Sequence, residues 1–383
     1  MLTESVTQES QPVRTVAPGP EVSLDELQLA GRNHSMPLEG LRFPVTPIGL
    51  HYLLTHFDIP RVDPATWQLA IGGRVRTPST FTLDDIKALP PVTRRVTLEC
   101  AGNGRAKLAP RPISQPWLFE AVGTADWTGT PLRPLLQAAG PLKDAVDVVF
   151  TGLDRGVQGG IEQQYERSLS LADASSDEVF LAYAINGQPL PPQHGFPLRV
   201  VVPGWYGMTH VKWLRSITVV NQPFRGYQQE PAYQVTPSLE EPGEPVTRIL
   251  PRSLMVPPGI PDFLTRTRLI AIGSHLIEGR AWSGRGQVVR VQVSTDGGMS
   301  WADAELGQAD GAYAWRPWIY RWAASEEGEH EVCCMATDSA GNTQPLTPRW
   351  NAQGVCNNTV QRVNVVVGGQ RPPQQPAADE PIK

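Results

Sequence analysis

Cysteine and histidine are scarce in this chain, with four and seven among 383 residues. Cys100, Cys333, Cys334 and Cys356 form no CxxC pair, no zinc-finger spacing and no CxxCH haem-attachment motif. A structural zinc site and an attached haem are therefore not expected. His51 and His56 stand five apart, which fits neither common metal spacing. No stretch approaches the ~20 apolar residues that span a bilayer, so no membrane partner is expected. Met1 to Pro20 is polar and lacks both an apolar core and a twin arginine. The expected compartment is the cytoplasm, where the cysteines would be free thiols. Basic runs are missing too. Net charge is -5, and Arg94-Arg95 and the stretch from Arg105 to Arg111 are too short for a polybasic arm, so no nucleic-acid partner is expected. There is no GxGxxG after a strand, no Walker A loop, no HExxH and no GxSxG. Nicotinamide binding, nucleotide hydrolysis, zinc proteolysis and α/β-hydrolase chemistry thus have no support.

Proline and glycine are abundant, at 38 and 35 residues. They disfavour a helical bundle and favour many short strands and turns. The length predicts two or three domains, each burying its own core. Residues 1–40 are polar and read as an N-terminal extension. Residues 41–222 alternate short strands with short helices and read as one α+β domain. TWQLAIGG (Thr66 to Gly73), RRVTLEC (Arg94 to Cys100), DAVDVVFTG (Asp144 to Gly152), FPLRVVVPG and VKWLRSITVV read as strands. Thr82 is placed to N-cap a short helix with Asp84 and Asp85 in its first turn, and TPLRPLLQAAG reads as a helix closed by Gly140. Residues 223–262 are a proline-rich connector. Residues 263–367 read as successive strands, with a hairpin at Asp296-Gly297-Gly298. Their spacing predicts an immunoglobulin-like β-sandwich. Residues 368–383 read as a disordered tail.

VTLECAGNGR, from Val96 to Arg105, is the most unusual segment. A buried strand delivers Cys100 at its end, and a Gly-Asn-Gly turn follows. The glycines suit a close approach or positive φ. Arg105 is placed to return its charge toward the thiol and favour thiolate, a soft ligand for transition metals. A buried cysteine before a turn is the plain alternative.

VTLECAGNGR resembles the molybdenum-ligating cysteine segment of the sulfite oxidase family. INGQPLPPQHGFPLRVVVPGWYGMTHVKWL (Ile185 to Leu214) and HFDIPRVDPATWQL near His56 resemble two further family blocks. The C-terminal RAWSGRG, VSTDGGMSW, AWRPWIYRW and WNAQGV are similar to the family's dimerisation domain. The four blocks run in the family's order over roughly residues 45–365. The resemblance implies a molybdopterin-binding domain, an immunoglobulin-like dimerisation domain, a homodimer, and a molybdenum–molybdopterin cofactor whose metal is held by Cys100. It implies that Tyr52, Thr55 and His56 contact the pterin and that Asp154 binds the cofactor. His194, Arg199, His210 and Lys212 would hold the pterin and its phosphate, as an anion buried with a pterin needs cationic donors.

Arg105, Trp117 and Tyr233 match the family's reaction pocket. Two positions depart from it: Leu54 and Gln353 stand where the family has arginines. Arg32, Arg111, Arg155 and Arg321 are candidates to supply that charge from elsewhere. The implied reaction is oxidation of sulfite to sulfate by oxygen-atom transfer, the cofactor carrying the redox chemistry. With no haem in the chain, reoxidation would use a separate acceptor, a cytochrome or dioxygen. Another sulfur compound as substrate, or reduction of a sulfoxide-type oxo-compound, is the alternative. Cys100, Arg105 and Tyr233 together argue against a non-catalytic homodimeric binding protein.

Overall fold

A computed structural model describes Arg14–Val16 and residues 22–368. The rest of the polar N-terminal stretch and the tail beyond Gly368 lie outside the described residues. Among the described residues no helix is long and apolar enough to cross a membrane.

Two five-stranded sheets build the first half of the chain. In one, Phe180–Ile185 pairs with Val122–Pro131, which pairs with Val92–Glu99, while Gln188–Pro189 and Arg199–Val201 also pair with Phe180–Ile185. The other runs Ser79–Thr82, Gln68–Gly73, Leu214–Val220, Asp147–Gln158, Ile161–Ser170. Its pairing of Leu214–Val220 with Gln68–Gly73 is parallel, and its other pairings are antiparallel. Leu69, Ile71, Phe150 and Ile217 of the second sheet pack with Leu181 and Val200 of the first and with Ile86, Leu132 and Leu136 of two short helices. Local chemistry sets those helices. Thr82 and Asp85 form a reciprocal capping box at Leu83–Ala88, and Gly140 ends Leu132–Ala139 at φ 67°. The strand that reaches Cys100 is buried on both faces over its last four residues, so its alternation fades where the functional residue begins.

The second half is a two-sheet sandwich. Arg252–Met255, Gly273–Trp282, Arg316–Ala324 and Glu305–Leu306 form one sheet. Ile260–Pro261, Arg268–Ile270, Gln361–Val367, Gly328–Asp338, Val288–Ser294 and Ala302–Asp303 form the other. Met255, Ile277 and Trp318 from the first meet Val291, Val332 and Val365 from the second in a common core. The Asp296 turn is fastened by its carboxylate, which accepts from the Met299 and Ser300 amides, with Gly297 and Gly298 at positive φ.

The halves are joined by burial. Met36, Leu41, Phe119 and Tyr206 form one apolar cluster with Val246, Ile249, Leu254, Trp282 and Trp315. Residues 223–262 thus contribute core side chains as well as prolines. At the edge of this cluster the Glu99 carboxylate lies 2.6 Å from the Arg252 guanidinium, both side chains 1% exposed. Glu99 also accepts from Asn103 Nδ2 at 3.0 Å and from the Trp282 indole at 2.8 Å. Removing one partner of a buried pair strands the other charge. Arg252→Met is therefore expected to cost about 3–5 kcal/mol of unfolding free energy, read from guanidinium denaturation. A loss below about 1 kcal/mol, the range of exposed pairs, would refute that role.

Candidate active site

The loop after Val92–Glu99 is held from several sides. The Cys100 amide donates to Ala121 O at 2.9 Å, and Asn103 spans Glu99, Phe119 O and the Ala121 amide. The two glycines of this loop have separate reasons. A Cβ on Gly102 would sit 2.5 Å from the Arg105 guanidinium. Gly104 has φ 90° and lies against Asn357 of the second half, whose side-chain amide donates to Gly104 O at 2.8 Å. The Cys356 amide donates to Ala101 O at 2.8 Å. The sandwich domain thus forms part of the wall around Cys100.

Cys100 borders two adjoining cavities. One spans ≈ 660 Å³, its opening to solvent included, and is lined by Tyr52, His56, Asp154, His194, Arg199, His210 and Lys212, together with His51 and Tyr165. The other encloses ≈ 1170 Å³, open mouth included, and is lined by Thr55, Arg105, Trp117 and Gln353, together with Arg32. Leu54, His56, Cys100 and Tyr233 face both. Residues that lie far apart in sequence therefore converge on one sulfur.

The first cavity is rich in buried cations. Lys212 Nζ donates to Leu54 O at 2.9 Å and Gln193 O at 3.2 Å. Arg199 donates to the His194 and His210 carbonyls and stacks over Trp127, yet its Nε has no partner. Burial lowers the Lys212 pKa and raises that of Asp154, and each charge partly opposes the shift of the other. Burial also depresses the histidines: His51 to about 4, His56 to about 3, His194 to about 2 and His210 to about 3. His210 accepts from the Val202 amide at one ring nitrogen and meets Trp205 O with the other, so neither is left for a ligand.

In the second cavity Arg105 is 6% exposed and donates to Gln115 O at 2.9 Å. Tyr233 has φ 63°, and its hydroxyl lies 2.7 Å from His56 Nε2. Leu54 supplies an apolar wall. Gln353 uses both ends of its amide on backbone, accepting from the Gln234 amide and donating to Pro231 O, each at 3.0 Å. It therefore braces the turn that carries Tyr233.

The profile of the oxidoreductase molybdopterin binding domain matches residues 56–228, and that of the Mo-co oxidoreductase dimerisation domain matches 258–368. Chicken (Gallus gallus) sulfite oxidase is 34% identical over 83% of this chain and 72% of its own length. The chain belongs to the sulfite oxidase family of molybdopterin oxidoreductases. Mouse (Mus musculus) mitochondrial sulfite oxidase is 37% identical over 84% of this chain, which spans 62% of that relative. Barley (Hordeum vulgare) NADH nitrate reductase is 32% identical over 84% of this chain and 38% of its own length. Among solved structures, the sulfane dehydrogenase SoxCD from Paracoccus pantotrophus aligns at TM-score 0.76 and 24% identity, over 92% of this chain and 87% of that one, a likeness of fold.

The residues present fit the family's molybdopterin. Buried polar atoms without partners are rare in folded proteins, and several of those found here border the cavities: His51 Nε2, Asp154 Oδ1, Arg199 Nε, Thr55 Oγ1, Arg105 Nε and Trp117 Nε1. An unpartnered carboxylate oxygen suits the N–H edge of a pterin, and an unpartnered guanidinium N–H suits a phosphate. Cys100 corrects one expectation. Arg105, the Gly102 amide and Trp117 do favour its thiolate, but burial outweighs them and raises its pKa. The thiolate thus needs a metal's charge, not Arg105 alone. His51, Tyr165 and Arg167 were not legible as site residues. Arg167 is buried beneath the Tyr233 ring at 5.9 Å, and a lone arginine in a strand carries no sequence signal.

The histidines set a pH dependence for the cofactor-free protein. Their folded pKa values lie below the unfolded value near 6.5, so the unfolded chain binds more protons as pH falls through that value, and stability falls with it. The carboxyls of Asp154 and Glu120, whose pKa values burial raises, act oppositely at lower pH, but they are two groups against four. The melting temperature of apoprotein is expected to drop steadily below about pH 6.5. A flat profile down to about pH 5 would show that these rings are not buried neutral.

Proposed function

We propose that the protein oxidises a small sulfur oxyanion, with sulfite as the first candidate, by oxygen-atom transfer at a molybdenum held by Cys100. The carrying observation is the position of Cys100 on the shared wall of two chemically different cavities. One offers buried cations and an unpartnered carboxylate oxygen for a pterin and its phosphate. The other holds arginines and, among the described residues, no carboxylate, which suits an anionic substrate. Bound molybdopterin supplies the two-electron chemistry. The chain's own residues position and shield. Arg105 orients the anion. Burial raises the Tyr233 pKa, so its hydroxyl stays protonated and presents a hydrogen to the substrate or to neutral His56. Trp117 and Leu54 limit water. Electrons would pass to a separate acceptor, a cytochrome or dioxygen.

A second reading keeps the cofactor and changes the substrate to another sulfur compound or an oxo-compound. Leu54 and Gln353 favour it, because the Gln353 amide is committed to backbone and neither residue offers a charge.

We read the C-terminal sandwich as an immunoglobulin-like dimerisation domain, with the division between domains falling within residues 223–262. Phe263 and Leu264 are 87% and 83% exposed there, which suits burial in a homodimer. Phe263→Glu with Leu264→Glu is expected to shift the mass measured by light scattering from dimer to monomer. An unchanged mass would remove this surface from the interface.

Activity is tested by sulfite-dependent ferricyanide reduction beside viologen-linked sulfoxide reduction. Cys100→Ser is expected to abolish both along with molybdenum retention. Tyr233→Phe is expected to lower kcat about a hundredfold, the scale of losing one positioned donor. Retained activity in Cys100→Ser, or metal-free protein from a cofactor-competent host, would overturn the proposal.

A further inference from the structure

The second cavity is large for sulfite, which is one sulfur and its oxygens. The space within it that a water-sized sphere can reach is ≈ 290 Å³, and much of its wall is apolar, including Leu29, Leu54, Ile113 and Val355. Its charged lining consists of Arg105, deep and buried, and Arg32, which is exposed to solvent. Among the described residues no acidic side chain lines it and none pairs with Arg32.

Arg32 is not a loosely placed surface residue. It ends the helix Leu24–Arg32, which is fastened to the cavity at both ends. At the far end Glu26, fully buried, pairs with Arg111 at 2.9 Å, next to lining residues Pro112 and Ile113. At the near end Asn33, itself buried, donates to Gln115 Oε1 at 2.9 Å and accepts from the Thr55 amide at 2.8 Å. Gln115 O is the acceptor for Arg105. One short polar chain therefore sets the distance between the two arginines. Arg155 pairs with Glu162 instead, and Arg321 lies in the sandwich domain outside this cavity.

We propose that Arg105 and Arg32 together hold the charge of an organic sulfur monoanion, a sulfinate R–SO2⁻, whose substituent lies along Leu54 and its apolar neighbours. This rests on the oxidoreductase function proposed above and names its substrate class. A sulfinate carries one negative charge. Sulfite has no substituent to cover the apolar wall formed by Leu29, Leu54, Ile113 and Val355, which a sulfinate's R group would bury. The reaction balances as R–SO2⁻ plus water giving R–SO3⁻, two protons and two electrons. One S–O bond forms, the oxygen derives from water, and the electrons leave to an external one-electron acceptor, ferricyanide in the assay.

The test uses molybdenum-loaded protein, with metal content measured first. Benzenesulfinate and sulfite are compared as substrates, and their products, benzenesulfonate and sulfate, are compared by titration calorimetry. Benzenesulfonate is expected to bind at least about tenfold tighter than sulfate, the equivalent of one charge-supported contact plus apolar burial. Arg32→Ala is expected to weaken benzenesulfonate about tenfold and to raise KM with kcat little changed, since it removes binding common to ground and transition states. Leu54→Arg is expected to shift preference toward sulfite. Equal binding of the two products, or unchanged binding in Arg32→Ala, would overturn the proposal. Fully loaded protein that oxidises sulfite and rejects benzenesulfinate would overturn it while leaving sulfite oxidation standing. Loaded protein that oxidises neither would overturn the function as well.

Discussion

The buried pairing of Glu99 with Arg252 is the constraint on which the rest of the site hangs. Glu99 directly precedes Cys100, and its carboxylate is shared among Arg252, Trp282 and Asn103. Two of these partners belong to the second half of the chain and one to the loop itself. A charge removed from water needs partners, and the second half of the chain supplies two of them. The position of the Cys100 sulfur is thus fixed by the domain interface as much as by its own sheet.

The first cavity has the opposite character. Its cations and neutral histidines are assembled with polar atoms left over, so the cofactor-free protein carries an electrostatic cost that a bound anion would relieve. The Arg199 charge adds to burial in lowering the Lys212 pKa, and Asp154 answers only part of it. Sites that bind charged groups store unfavourable interactions of this kind, and the ligand removes them.

Much of this was legible in the chain. The strand into Cys100, the Thr82 cap, the Gly140 stop and the Asp296 turn depend on neighbours a few residues away, and such neighbours leave periodic or turn signals. Cys100 drew notice by the Gly-Asn-Gly turn after its strand, while Asp154, Arg199 and Lys212 drew it only through family resemblance. Singly, each is an ordinary residue in or beside a strand. Arg32, Arg167 and the Gln353 brace depend on partners far away in sequence, set by how the sheets stack. The thiol of Cys100 was misjudged for a related reason. A nearby arginine is visible in sequence, but the depth of burial that outweighs it belongs to the fold.

The Asn357 side chain against Gly104 and the Cys356 amide on Ala101 O have a consequence for biosynthesis. The cysteine loop emerges from the ribosome long before its last wall exists, and that wall is made some 250 residues later. Domains made first generally fold first, so the early sheets can form while the loop is still open on one side. Completion of the chain is the event that closes it. The cysteine loop is therefore complete only when both halves of the chain are in place.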